Sequence, residues 1–496
     1  MSMRCSLVAA VLAVFALAPA GAQTADAQRA AMLARAKAAE LPGTWAPPPG
    51  DIRVHQTAGY ANLHCSQVFV SGFDPDFART TMGDRNVLAP IEARVLAEPP
   101  VVDRGKREVR VTLKGGPTRV ARQVGSQGCV TLPLETGALA FTPKIVRPNL
   151  GPADAMDWPM GDRNAVDAAP AGVDSARISK AVEAAFAPAG LTQAFVVAHK
   201  GRIIAERYEL GATASTPLEG WSMGKSVIAT LVGRLMAEGV YSLDQPAPVP
   251  EWQQPGDPRK DIRIRDILNM ASGLRIRAEQ DPDYADDGRY PDHWYYYTGN
   301  DAFAYAAGRQ PQWPPATIGR YRNTDPVLAS YLVRLAVEKR GEDYLSFPQR
   351  ALFDPLGIRT ATLQTDAHGN FLTQGYEQMS ARDWTRIGLL YAQGGQWGGR
   401  QFLTPGFVDF VHTVPPAWAQ DGRPIYGGFF WVNGDGGFPA PEDAYYMAGA
   451  GGQYVLIVPS HDLVITRLGR FAGSGPGLIA LRKAVAGVMA AVPPAR

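Results

Sequence analysis

Cysteine is scarce in this sequence, histidine is thinly spread, and neither sign of charge prevails. Three cysteines, Cys5, Cys65 and Cys129, are scattered through 496 residues without a C-x-x-C spacing. The 7 histidines form no H-E-x-x-H or H-x-x-x-H pair. No metal centre is therefore predicted, and no motif calls for a cofactor. Lys plus Arg is 49 and Asp plus Glu is 47, a formal net charge of +2. A surface so balanced lacks the basic face that phosphates require, so no nucleic-acid partner is expected. There is also no apolar run of about 20 residues, the length that crosses a bilayer. The composition is near the globular average, which excludes a collagen-like fibre, a coiled coil and a disordered chain.

What is present begins with an address. Met1-Ser2-Met3-Arg4 leads into an apolar run from Leu7 to Leu17, followed by Ala20-Gly21-Ala22. One positive charge, a short apolar core and a small-residue exit describe a signal peptide over residues 1–22, with an uncleaved anchor as the other reading. Cleavage leaves no membrane span, and the mature chain is expected to be periplasmic or secreted. Cys5 departs with the signal. In an oxidising compartment Cys65 and Cys129 either form a disulfide that closes a long loop or remain two buried thiols.

Four stretches follow. Residues 25–40 read as a short Ala-rich helix, ended by Pro42 and Pro47-Pro48-Pro49. Residues 45–150 read as a small β-rich unit, with strands expected at Gln67-Val68-Phe69-Val70, over 108–113 and over 129–132. In the second of these Val109, Val111 and Leu113 alternate with Glu108, Arg110 and Thr112, the period of a half-buried strand. Residues 151–172, rich in Pro, Asp, Gly and Ala, read as a linker. Met82-Gly83-Asp84-Arg85-Asn86 and Met160-Gly161-Asp162-Arg163-Asn164 are two similar turns rather than a repeat. Residues 173–496 form the last stretch. A hairpin over 194–207 turns at Lys200-Gly201. Helices are expected at 181–186, 222–238, 264–270, 325–340, 380–393 and 476–491, and closing strands at 453–458 and 463–468. Strands near both ends of this stretch point to one sheet made from both of its termini.

Chemistry is concentrated at Trp221-Ser222-Met223-Gly224-Lys225. The helix it opens buries Val227, Ile228, Leu231, Val232, Leu235 and Met236 on one stripe, and Gly239 lies where it stops. Ser222 and Lys225 are three residues apart, so they share a helix face. A serine hydroxyl is a weak nucleophile until a base removes its proton. A lysine serves as that base when burial or positive potential lowers its pKa. The spacing alone is a weak signal, and its structural counterpart is a capping serine beside a solvated lysine.

Two more elements extend the pattern. Tyr321-Arg322-Asn323 precedes a helix: a tyrosine hydroxyl relays protons, and an asparagine amide holds a carbonyl and an ammonium at once. Tyr60-Ala61-Asn62 has the same spacing and is read as structural. Near the C-terminus, Met447-Ala448-Gly449-Ala450-Gly451-Gly452 precedes a strand. Small residues there let a substrate lie along a strand edge, where a free N–H can complete an oxyanion hole.

The order Ser-x-x-Lys, Tyr-x-Asn, glycine-rich strand resembles the serine β-lactamase/penicillin-binding-protein superfamily. It looks most like the class C β-lactamase-related branch, with its esterases and 6-aminohexanoate-dimer hydrolases. Ile264-Arg265-Asp266-Ile267-Leu268-Asn269-Met270-Ala271-Ser272-Gly273-Leu274 and Ser380-Ala381-Arg382-Asp383-Trp384-Thr385-Arg386-Ile387-Gly388 are similar to two further segments of that family. The resemblance covers residues 175–490. It implies an α/β (α+β) fold: an antiparallel sheet flanked by helices, with an inserted mainly helical subdomain. It also implies Ser222 as acylated nucleophile, Lys225 as its base, Tyr321 as proton relay and Asn323 as a contact to Lys225 or substrate. Gly449 and Ala450 then fall at the substrate and oxyanion position; a register on Ala450-Gly451-Gly452 is the alternative. The family's third motif commonly opens with Lys, where this chain has Met447.

The implied activity is an exported serine hydrolase acting on an amide or ester of a small or peptide-like molecule. The missing cation weighs against the alternatives, a β-lactamase or a D-Ala-D-Ala carboxypeptidase. A further alternative is a non-catalytic peptidoglycan- or ligand-binding protein on the same fold. Asp281, Asp283, Asp286 and Asp287, followed by His293-Trp294-Tyr295-Tyr296-Tyr297, are expected either to wall the pocket and hold a substrate amine or to be a solvated loop over packed aromatics.

Overall fold

The computed structural model describes residues 20–79, 96–167, 170–284 and 291–495, with side chains from residue 25 onward. The apolar run at 7–17, Cys5 and the turn at 82–86 lie outside them. So does most of the expected signal, although helix α1 (Ala20–Ala38) begins before the expected cleavage point.

Asp51 caps α2 (Ile52–Phe69) by accepting from the Arg53 amide at 2.9 Å. Ala58, Ala61, Cys65 and Val68 are buried at spacings of three and four, the signature of one helical face. That stripe pulls Gln67-Val68-Phe69-Val70 into the helix and its cap, which corrects the strand expected there. Helical burial across the whole segment outweighs the β preference of Val-Phe-Val. The face rests on a four-stranded antiparallel sheet, β1 (Val101–Asp103), β2 (Glu108–Thr112), β3 (Thr118–Gln123) and β4 (Cys129–Thr131), paired in chain order. Cys65 of α2 is disulfide-bonded to Cys129 of β4, and Asn62 Nδ2 donates to the Cys129 carbonyl at 2.8 Å. Tyr60 and Asn62 are thus buried parts of this unit.

β5 (Thr192–His199) and β6 (Arg202–Tyr208) are the predicted hairpin, with Lys200 at φ +49° and Gly201 at +76° in its turn. β7 (Leu218–Glu219), β8 (Thr362–Leu363) and β9 (Glu377–Met379) form a small sheet with β9 central. β10 (Gln396–Trp397) and β11 (Arg400–Gln401) are a two-stranded ribbon. β12 (Trp431–Val432), β13 (Tyr445–Gly449), β14 (Gln453–Val458) and β15 (Leu463–Gly469) join the hairpin in one antiparallel sheet, ordered β12-β13-β14-β15-β5-β6. Both ends of the stretch therefore contribute to one sheet.

The longer helices of this part are α3 (Ser175–Ala185), α4 (Gly224–Ala237), α5 (Thr324–Lys339), α6 (Ala381–Ala392) and α7 (Ser474–Ala491). Strand alternation sorts the core into two layers. Phe195, Val197, Leu456, Val458 and Ile465 pack with Ile178 of α3 and Leu481 and Val485 of α7. Ala194, Val196, Val455, Ile457 and Val464 face α4 and α6. Val227, Ile228, Leu231, Val232 and Leu235 of α4 are at most 1% exposed, and each such burial is worth about 1.5–3 kcal/mol. This anchors α4 so that its N-terminus meets the edge of β13.

Residues 151–167 are held against the last stretch. Arg386 donates to the carbonyls of Pro159 and Gly161 at 2.7 Å each and ion-pairs with Asp162.

Candidate active site

Ser222 lies in a 3-10 turn, Trp221–Met223, that runs straight into α4. Trp221 has φ +50°, a left-handed conformation that a bulky residue adopts only where packing enforces it. Its ring packs on Phe471 at a centroid distance of 5.5 Å and on Leu63 of α2. Three glycines let other chain segments close on this turn. A Cβ on Gly220 would meet the Trp384 ring at 2.2 Å, and one on Gly224 would meet the Glu377 carboxyl at 1.7 Å. A Cβ on Gly449 would meet the Gly220 carbonyl oxygen at 2.1 Å. Bare backbone at the end of β13 therefore runs past the serine, and Ala450 follows directly.

Lys225 is 1% exposed, and its Nζ donates to Ser222 Oγ at 2.8 Å and to the Gln374 carbonyl at 2.6 Å. Burial brings its ammonium down to about 7, against the opposing pull of Glu377. The amine thus gains and loses its proton around neutral pH while bonded to a hydroxyl.

The segment before α5 is extended, and its side chains divide by alternation. Arg320 pairs with Asp421 at 2.7 Å, which also binds Arg35 of α1 at 2.7 Å. Arg322 pairs with Asp281 at 3.1 Å. Between them, Tyr321 turns the other way: Ser222 acts on its hydroxyl, and Lys225 Nζ is 4.9 Å from its ring centroid. Burial raises the Tyr321 phenol above the usual range, with Ser222 acting the other way, so it stays a phenol at neutral pH. Tyr426 and Trp431 flank its ring at 5.6 and 5.1 Å.

Asn323 stands at the start of α5 without a side-chain capping bond, and its Oδ1 is buried and unpartnered. Ser272 donates to Asp325 at 2.6 Å, tying the Ile264–Leu274 segment to the Tyr321 segment. Ser380 accepts from the Asp383 amide at 3.2 Å as the N-cap of α6, and Asp383 pairs with Arg386 at 2.7 Å. The Ser380–Gly388 segment is therefore structural.

Ser222, Lys225 and Tyr321 come together in space, with Gly449 against the same turn. Met447 is fully buried in the core and presents nothing to the cleft. Of the two readings of the acidic segment, the described residues do not form an acidic wall. Asp281 is buried and neutralised by Arg322, Asp283 is exposed, and Asp286 and Asp287 lie outside the described residues. His293 is half-buried beside the site. Desolvation of its ring, and after it the charge of Lys225, brings its imidazole down to about 3, so it is neutral. Sequence reasoning missed the Gln374 carbonyl and the buried carboxyls of Glu219 and Glu377. A main-chain acceptor leaves no mark in a sequence, and no pattern marks an acid destined for burial.

No curated protein matches the chain. Among solved structures it is similar to EstCE1, a hydrolase with promiscuous acyltransferase activity, at 16% identity and TM-score 0.50, over 63% of this chain and 99% of that one. A family VIII carboxylesterase is 18% identical over 64% of this chain and 97% of its own, at TM-score 0.49. A penicillin-binding protein homologue from Caulobacter crescentus is 18% identical over 65% and 99%, at TM-score 0.48. These are likenesses of fold. Residues 183–488 match the Beta-lactamase family, more than half of the chain, and they hold the turn, the lysine, the tyrosine and the strand edge just described: the chain belongs to the beta-lactamase family.

Proposed function

We propose that this protein is an exported serine hydrolase that cleaves an amide or ester through an acyl-enzyme on Ser222. One observation carries the reading: a buried Lys225 amine that gives up its proton near neutral pH, bonded at 2.8 Å to the Ser222 hydroxyl. A lysine in that state takes the serine proton as the Oγ–carbonyl bond forms. The Ser222 and Ala450 amides are the donors for the resulting oxyanion. Collapse breaks the bond to the leaving group, which takes its proton through the Tyr321 hydroxyl. Water then attacks the acyl-enzyme, gives its proton to Lys225 and releases the acid, restoring Ser222. Asn323, whose Oδ1 has no partner in the fold, contacts the substrate carbonyl or Lys225.

Burial of Met447 in place of a cleft cation favours an uncharged amide or ester over a β-lactam or D-Ala-D-Ala peptide, whose carboxylate wants a positive partner. The branch with esterases and 6-aminohexanoate-dimer hydrolases fits that preference. The signal-like N-terminus and the disulfide support a periplasmic or secreted location. No helix among the described residues is long and apolar enough to cross a membrane.

The test is Ser222→Ala against wild type, using p-nitrophenyl ester turnover and fluorophosphonate labelling. Loss of both is expected, and full activity in the variant overturns the mechanism. A panel of penicillin, D-Ala-D-Ala peptide, aminohexanoate dimer and short-chain esters then identifies the substrate class. A lasting penicillin adduct without turnover of anything would mark a binding protein instead.

A further inference from the structure

A buried acidic pair behind the lysine takes no part in the chemistry above. Glu219 ends β7 and Glu377 begins β9, on paired antiparallel strands where Glu219 lies opposite Gln378. The Gly220 amide donates to the Glu377 carbonyl at 2.8 Å. The backbone leading into the nucleophile turn is thus bonded to the backbone that carries the second acid. Glu377 is fully buried and Glu219 is 6% exposed. The Glu377 carboxyl fills the space where Gly224 would carry a side chain, one residue from Lys225. None of the four carboxyl oxygens has a hydrogen-bond partner of ordinary geometry. An unpartnered buried carboxylate is costly, and two together cost more. Holding a proton removes the cost. Burial raises both acids well above the usual range, and Glu219 raises Glu377 further while Lys225 opposes.

We propose that Glu219 and Glu377 carry one proton between them and so set the charge of Lys225, with Glu377 acting on the lysine and the charge left on Glu219 keeping the proton on Glu377. The proposal rests on Lys225 being the base of Ser222. With Glu377 protonated, Lys225 faces no anion and remains the free amine. With Glu377 ionised, Lys225 is held as an ammonium and the serine has no base. The other groups around Lys225 are Ser222, the Gln374 carbonyl, the Tyr321 phenol and the His293 imidazole, the last two uncharged near neutrality. Tyr376 lies against Glu377, with Tyr297 behind it at 4.6 Å, and Tyr454 acts on Tyr321. Glu279 acts on Tyr297 rather than on the lysine. Among the described residues, Glu377 is the carboxyl whose charge reaches Lys225. Both acids are positioning residues, since they act through the lysine.

The experiment is an NMR titration of the full chain labelled with [ε-13C]lysine, following the resonance that Lys225→Ala removes. Glu377→Gln should lower the Lys225 midpoint by about one pH unit, a tenfold change in its proton affinity. Glu219→Gln should raise the midpoint, because Glu377 freed from a like charge ionises more readily. The double variant should follow Glu377→Gln. A purely structural role changes melting and leaves the midpoint in place. Unmoved midpoints, or single variants that shift together, overturn the proposal. If Glu377→Gln does not fold, the upward shift in Glu219→Gln decides. Fluorophosphonate labelling of the same proteins separates the two readings. An unlabelled wild type overturns the hydrolase assignment, while the titration still judges the pair. A labelled wild type with unmoved midpoints overturns the pair alone.

Discussion

Lys225 Nζ stands 2.8 Å from Ser222 Oγ and 2.6 Å from the main-chain oxygen of Gln374, so a distant loop fixes the lysine on the side away from its own helix. Burial brings this amine down to about 7. Below that value it carries a proton and cannot accept another; above it the amine is free. Acylation measured as fluorophosphonate labelling should therefore rise with pH through about 7 and level off above. A rate that is flat from acid to neutral pH contradicts Lys225 as the base.

The same burial has a consequence for stability. The folded lysine loses its proton at about 7, below the 10.5 of the unfolded chain. Between those values the unfolded state binds more protons, so stability rises with pH across that window, and at pH 7 most of the penalty remains. Lys225→Met removes the penalty. We expect a variant about 1–2 kcal/mol more stable at pH 7, with its advantage shrinking toward pH 10, and unlabelled at Ser222. Denaturant melts at the two pH values check it, and a less stable variant at both refutes it.

Tyr321 and Asn323 separate chemistry from scaffolding. The Tyr321 ring is packed by Tyr426 and Trp431, and Phe keeps that packing while deleting the hydroxyl that meets Ser222. Tyr321→Phe should lower kcat for an ester by about 10²–10⁴-fold with little change in Tm. Asn323 makes no capping bond and leaves Oδ1 unpartnered. Asn323→Ala should thus shift stability by less than about 0.5 kcal/mol while lowering kcat/KM at least tenfold. Lost stability with intact turnover would make Asn323 a helix cap and nothing more.

These residues also show how much of the molecule is legible in its sequence. The hairpin can be read because alternation and a Lys-Gly turn are local signals, and the turn adopts the positive φ values that it needs. Ser222 and Lys225 can be paired because helical geometry fixes what lies three residues apart. The C-terminal end of α2 cannot be read locally, because Val-Phe-Val favours strand while burial along one face of the whole segment decides the outcome. Asp281 looks available to a ligand because its partner Arg322 is 41 residues away. Glu377 is invisible for the same reason: only the folded chain brings it onto Gly224.

Gly449 tests how closely the strand and the Ser222 turn must approach. A Cβ there would sit 2.1 Å from the Gly220 oxygen and 3.0 Å from Trp221 Cβ, both parts of the segment that carries Ser222. Gly449→Ala must push β13 away from the turn and misalign the Ala450 amide, so kcat for an ester should fall about 10²-fold or more. Gly406 is the control. It lies exposed in the helix Pro405–Val411, and a Cβ added there would meet nothing within 4 Å. Gly406→Ala should leave activity unchanged and add about 0.4–1 kcal/mol of stability. Equal activity in both variants would show that strand and turn need not meet so closely.

The disulfide joins the N-terminal unit to the same machinery. Cys65 and Cys129 are 64 residues apart, and closing a loop of that length is worth roughly 4 kcal/mol in the chain-entropy account. α2 carries more than the bond. Leu63 packs on Trp221 beside Ser222. Gly59 lies where a Cβ would be 3.1 Å from the ring of Tyr297, in the turn that also holds His293. Freed from β4, α2 loses its anchor while the six-stranded sheet of residues 173–496 keeps its own core. The Cys65→Ala/Cys129→Ala variant should therefore melt earlier, with a loss of about 2–5 kcal/mol. Its Ser222 labelling should slow at temperatures where the protein is still folded, because Trp221 has lost the support that holds its left-handed backbone. Reductant should reproduce both effects in the wild type and neither in the variant. Labelling that stays unchanged while the melt drops would confine the disulfide to stability and release α2 from any part in shaping the site.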